Sequence, residues 1–175
     1  MSLPVVGKAH EAKAASGPFH WFIYGSSLDR GAFATWAEQH GYRVPDFAVA
    51  VPARLDGFRL AFDVRSNFWG GAVASLAEAP GEGVEGIALP LSGDARGLVD
   101  HKEGAISGLY VPLPVQVTPL AGGAPISALA YRAAAGRRLP VEEAPSKGFL
   151  ETLLRGARDH QLSDAWQTRL ASLGR

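Results

Sequence analysis

Glycine and proline occur so often that they set the first limit on the fold: 21 and 12 of them interrupt a chain of 175 residues. Both residues end regular elements and both exceed average usage, so many turns and short elements are expected in place of a helical bundle. The expected class is mixed, with β-structure prominent. At 47% hydrophobic and 19% charged, the chain has room for one domain with a substantial core.

Local patterns place the elements. Trp21-Phe22-Ile23-Tyr24 is an aromatic and β-branched run stopped by Gly25, as a buried strand ending in a tight loop would be. Ala32, Phe33, Trp36 and Ala37 then recur at helical spacing between Arg30 and His40, with Gly41 placed to end the helix. Arg54 to Phe62, Ala72 to Leu76 and Val84 to Leu91 read as strands. The intervening Pro80-Gly81-Glu82-Gly83 reads as a turn that makes Ala72 to Leu91 a hairpin. Tyr110 to Val117 carries Pro112 and Pro114 two apart, which suits an edge or bulged strand, and Ile126 to Arg132 is its expected partner. Near the end, Phe149, Leu150, Leu153, Leu154 and Ala157 form an apolar helical stripe behind the candidate N-cap Ser146. A shorter helix, Asp164 to Leu173, follows Ser163. The fold expected is α+β, a small mixed, mostly antiparallel barrel-like sheet with flanking helices. Residues 1–18 read as a loose tail and 19–175 as a single domain.

Composition removes several functions. Lys plus Arg and Asp plus Glu both number 17, so no basic footprint for nucleic acid is present. The absence of Cys excludes disulfides, thiolate metal sites and cysteine nucleophiles, and favours a cytoplasmic protein. No apolar run approaches bilayer length, and the opening segment lacks the apolar core of a secretory signal.

Three segments carry candidate chemistry. In Tyr24-Gly25-Ser26-Ser27-Leu28, a loop leaving a strand end can turn several backbone N–H groups toward a carboxylate or a developing oxyanion; alternatively Ser26 or Ser27 merely caps the next helix. In Asp100-His101-Lys102-Glu103-Gly104, Glu103 is a candidate general base, while Asp100 and Glu103 also have the spacing of a capping box. Asn67-Phe68-Trp69-Gly70-Gly71 is either a packed turn or a place where a ligand nears the backbone. His101 with Asp100 or Glu103 lacks the spacing of a metal-ligand set, so no metal is expected.

Read in order, these segments resemble the γ-glutamylcyclotransferase family, within the AIG2-like superfamily, from Tyr24 to about Leu170. Tyr24-Gly25-Ser26-Ser27-Leu28 resembles the family's Tyr-Gly-Ser-Asn-Leu loop, with Ser27 in place of Asn. Trp69-Gly70-Gly71-Ala72 and Val84-Glu85-Gly86 resemble its turn and the strand that leads toward the acid motif. Leu98-Val99-Asp100-His101-Lys102-Glu103-Gly104, followed by Ser107-Gly108-Leu109-Tyr110, is similar to its Leu-Asp-x-x-Glu-Gly segment and Tyr-bearing strand, with one residue inserted between Leu and Asp. The tail Pro145-Ser146, Gly156-Ala157 and His160-Gln161-Leu162 resembles the family's helical ending, with Phe149 where better-known members carry a substrate-holding Tyr.

The resemblance implies cleavage of a γ-glutamyl amide by attack of its own α-amine on the γ-carbonyl, releasing 5-oxoproline. Glu103 would be the general acid and base, and Tyr24, Gly25, Ser26, Ser27, Leu28, Tyr110 and Phe149 would bind substrate. It implies no cofactor, no metal, a small-molecule γ-glutamyl substrate as partner, no nucleic acid or membrane, and leaves room for a homodimer. The departures at Ser27 and Phe149 point away from glutathione. A second enzyme reading keeps the scaffold for a γ-glutamyl or acyl-amide step in a specialised biosynthetic pathway. From another class, a non-catalytic binding module would keep the pocket but has no need of Glu103, and a structural interaction domain would ignore the pocket.

Overall fold

The structure, a computed structural model, describes residues 17–174; nearly all of the expected tail 1–18 lies outside the described residues. The five strands are β1 (Phe19–Ile23), β2 (Val51–Ser66), β3 (Gly71–Leu91), β4 (Tyr110–Pro119) and β5 (Ile126–Ala133). They close into a barrel in the order β1-β3-β2-β4-β5. All pairings are antiparallel except the seam, where β1 and β5 meet in parallel at Trp21 and Leu129. Four helices accompany the barrel: α1 (Arg30–Gln39), α2 (Arg96–Lys102), α3 (Lys147–Asp159) and α4 (Asp164–Ser172).

The sequence dictates most of this locally. Trp21, Phe22 and Ile23 are buried on both sides of the strand, so the second half of β1 is an apolar run that fills the interior beside Phe33 of α1. Ser146 and Ser163 cap α3 and α4 by accepting from the N–H groups of Phe149 and Trp166. Residues of α3 that share one face, Phe149, Leu153 and Ala157, are buried. On β4, Pro112 and Pro114 fall where the strand pairs only with β5, since β2 joins β4 just at Thr118 and Pro119. Two apart, they put their missing donors on one side of the strand, which a segment with a single neighbour can tolerate.

One expected hairpin is not formed. Residues 71–91 are one continuous 21-residue strand, not two strands around Pro80-Gly81-Glu82-Gly83. Its partner is β2, from which it is separated by the Asn67–Gly70 turn. The supposed turn is a bulge: the register passes from Asp56↔Gly83 to Phe58↔Glu78, and Gly57 and Gly81 both take positive φ there. Extra residues on β3 bend the ladder without ending it, and glycine makes the left-handed backbone inexpensive. This long, bent β2–β3 ribbon carries its Asn67–Gly70 tip to the rim of the barrel cavity. Among the described residues, no helix is long and apolar enough to cross a membrane.

Candidate active site

The end of β1 opens directly into the first candidate loop. Ser26–Leu28 form a single 3-10 turn whose own hydrogen bonds run from Leu28 N–H to the Gly25 carbonyl and from Asp29 N–H to the Ser26 carbonyl, 3.0 and 3.1 Å. The N–H groups of Ser26 and Ser27 lie at the start of that turn and take no part in those bonds. Neither serine caps α1. Asp29 does, its Oδ1 accepting from Gly31 and Ala32 while Oδ2 accepts from Arg155 Nε at 2.7 Å. The capping alternative for the serines is thereby removed.

A clamp from α3 holds the loop from behind. His160 Nε2 donates to the Leu28 carbonyl at 3.0 Å, and burial lowers the His160 pKa, which favours the neutral ring with its proton on Nε2. Gly156 allows the close approach, because a Cβ there would lie 2.4 Å from Leu28 Cβ. Leu28 itself is fully buried and does not line the cavity. Its expected place among the substrate contacts is corrected: its apolar side chain belongs to the core, and it anchors the loop.

Glu103 approaches from the opposite side. It is the C-cap of α2, which begins at Arg96, so the capping-box alternative is wrong: Glu103 stands at the end of a helix, not in its first turn. Asp100 does different work. Its Oδ1 accepts from Tyr131 on β5 at 2.5 Å and from Arg96 at 3.0 Å, tying α2 to the barrel. Glu103 then points inward, where its Oε1 accepts from Trp21 Nε1 at 2.9 Å. Burial raises its carboxyl pKa to about 7, against smaller lowering effects from Lys102 and the Trp21 hydrogen bond. A carboxyl with that pKa can take up and release a proton near neutrality, which an ordinary glutamate does poorly.

Between loop and acid lies a cavity of about 400 Å³. Its walls bring together Glu103, Tyr24, Gly25, Ser26, Ser27, Tyr110 and Phe149, all expected from the sequence, from segments far apart in the chain. The two tyrosines wall the cavity with their rings while their hydroxyls are already committed: Tyr24 donates to the Tyr131 carbonyl and Tyr110 to the Ala74 carbonyl at 2.8 Å. Burial raises both phenol pKa values, so neither is a source of negative charge. The β2–β3 tip also lines the cavity through Asn67 and Trp69, which favours the ligand-approach alternative for that segment; sequence reading did not single out Arg65 and Ser66 beside it.

These features define a closed, mixed barrel with one acid among the described residues that line its cavity. The family model described as the AIG2-like family matches residues 83–170, which is half of the chain and includes α2 and Glu103. The chain belongs to the AIG2-like family. It is 29% identical over 159 residues to the cattle protein named γ-glutamylcyclotransferase, covering 89% of this chain and 78% of that one. It is 28% identical over 169 residues to the human protein of the same name, covering 92% and 84%. A solved γ-glutamyl cyclotransferase structure superposes with a TM-score of 0.73 at 24% identity, covering 89% of this chain and 87% of the other, a likeness of fold. The mixed class, the closed barrel and the expected family agree with these relatives, which are named as enzymes.

Proposed function

We propose that this chain is a γ-glutamylcyclotransferase in which Glu103 carries the protons. The observation that supports the reading most is a carboxyl of raised pKa that lines the same cavity as the Ser26–Ser27 turn. A γ-glutamyl amide enters with its α-amine largely as ammonium. Glu103 takes a proton from it, and the freed nitrogen attacks the γ-carbonyl of the same molecule. As the C–N bond to the leaving group breaks, Glu103 returns that proton to the departing nitrogen, and the second proton that the attacking nitrogen sheds on becoming an amide leaves with the amine, giving 5-oxoproline and an ammonium product. Folding the five-membered ring within one molecule replaces a bimolecular encounter, with effective molarities of about 10⁵ M or more in well-oriented cases. The Gly25 to Ser27 backbone serves the substrate α-carboxylate or the tetrahedral oxyanion. No cofactor enters this scheme.

The test is to incubate the purified protein with γ-glutamyl dipeptides and amines and to identify products by mass spectrometry. A cyclotransferase releases 5-oxoproline and fails on a substrate whose α-amine is acetylated, because the attacking lone pair is gone. Free glutamate as the primary product, or undiminished cleavage of the acetylated substrate, marks an amidase and sinks the proposal even if Glu103 is essential, since a carboxylate activates water as readily as an amine.

A further inference from the structure

The cavity has a second wall that the cyclisation itself does not use. Trp69, at the β2–β3 tip, meets Phe149 of α3 edge to face at 5.4 Å between ring centroids, and both line the cavity. Phe68 continues the series outward, perpendicular to Trp69 at 5.1 Å, and is 86% exposed. Three rings thus lead from solvent to the interior of the site. Large apolar side chains that exposed are common singly, but one joined ring to ring with the wall of a cavity offers continuous apolar surface to whatever enters.

Charge narrows the occupant. Glu103 is the only acidic residue among the described residues lining the cavity, beside Arg65, His101 and Lys102. Arg65 is held by Glu143 at 2.8 Å, and the Lys102 ammonium lies 5.0 Å from the centre of the Trp36 ring. In the proposed chemistry Glu103 is occupied by proton transfer. A cationic leaving amine therefore finds no free counter-charge, and its desolvation would go uncompensated.

Resting on the cyclotransferase reading, we infer that the Phe68–Trp69–Phe149 wall is the leaving-group subsite and selects γ-glutamyl amides of amines that carry an aromatic or similarly bulky apolar group and no positive charge. The glutamyl part is placed against Glu103 and the Ser26–Ser27 turn; the leaving amine lies along the rings toward Phe68.

Three substrates that differ only in the leaving amine test this: the γ-glutamyl amides of ethylamine, 2-phenylethylamine and 1,4-diaminobutane. The phenylethyl amide should exceed the ethyl amide in kcat/KM by about tenfold or more, and the aminobutyl amide should be slowest. Trp69→Ala should bring the phenylethyl to ethyl ratio down toward one. Because Trp69 also packs on Phe149, Phe68→Ala gives a second reading from an exposed position, and it should lower the same ratio severalfold. Equal rates for the ethyl and phenylethyl amides, a preference for the aminobutyl amide, or ratios unmoved in both variants overturn the subsite. If no amide yields 5-oxoproline, the cyclotransferase reading fails by itself. Calorimetric affinities for the same three compounds then decide the subsite: it stands on tighter binding of the phenylethyl amide that Phe68→Ala weakens, and falls on equal binding.

Discussion

Two glutamates, Glu85 buried and Glu103 half-buried beside the cavity, have opposite surroundings. Glu85, on β3, gives both oxygens to α4: Oε1 accepts from Ser163 N–H at 2.9 Å and Oε2 from the Ser163 hydroxyl. Glu103 receives a single side-chain donor, Trp21, and its carboxyl faces an open cavity. A carboxylate whose oxygens are all engaged is a fastening; one with a single donor and a raised pKa keeps an oxygen free for a substrate proton. The donors around each carboxyl separate the two.

The strongest way to break this contrast is Glu103→Gln, which preserves shape and the Trp21 hydrogen bond while removing the base. Turnover should fall by roughly a hundredfold or more with KM little changed, and full activity in the folded variant would remove Glu103 from the mechanism. Glu85→Ala should do the reverse. It strands the Ser163 N–H and loosens α4, lowering stability by about 2 kcal/mol in urea unfolding while turnover per folded molecule stays near the parent value. A large loss of kcat without loss of stability would mean that the two glutamates have been assigned the wrong way round.

A smaller effect sharpens the contrast through pH. The folded carboxyl of Glu103 titrates near 7 and its unfolded counterpart near 4.5, so between those values the folded state binds more protons. Its contribution to stability is therefore greatest below 4.5 and declines as pH rises through 7. Glu103→Gln should erase that decline, leaving the variant more stable than the parent above pH 7 by on the order of 2–3 kcal/mol, with no difference below 4.5. Unfolding curves at pH 4 and pH 8 measure it. In the parent, kcat/KM should drop on the acid side with an apparent pKa near 7. Trp21→Phe removes the donor that holds that pKa down, so this limb should move upward by roughly half a unit. Chelators stand at the small end: proton transfer by Glu103 predicts an unchanged rate, and loss of activity restored by added metal would contradict it.

Much of this contrast was legible in the sequence, though unevenly. Beside Gly104, Glu103 was a candidate base with a capping box as the alternative, and only the resemblance of its segment to the family's acid motif gave it a role; Ser146 and Ser163 were read because caps are local chemistry. Glu85 was invisible as a fastening, since its partner lies 78 residues away and no local rule links them. Leu28 was misplaced for a related reason: a loop motif shows which residues adjoin, not which of them faces the core. The bulge at Gly81 imitated a turn because glycine with positive φ serves both, and only the presence of Gly57 across the ladder distinguishes them. Signals confined to a few residues were read correctly, and those that depended on a distant partner were not.

The seam of the barrel sets the order in which the site can be assembled. The β2–β3 ribbon joins strands separated by four residues, so its closure demands little chain entropy. The contacts that complete the cavity are remote: Trp21 reaches Glu103 across 82 residues, and Tyr24 reaches the Tyr131 carbonyl across 107. These form only when β1 settles between β3 and β5. Without the seam, Glu103 loses its Trp21 donor and the cavity loses the wall that the end of β1 supplies. The surroundings that raise the proton affinity of Glu103 therefore depend on contacts that are among the most remote along the chain.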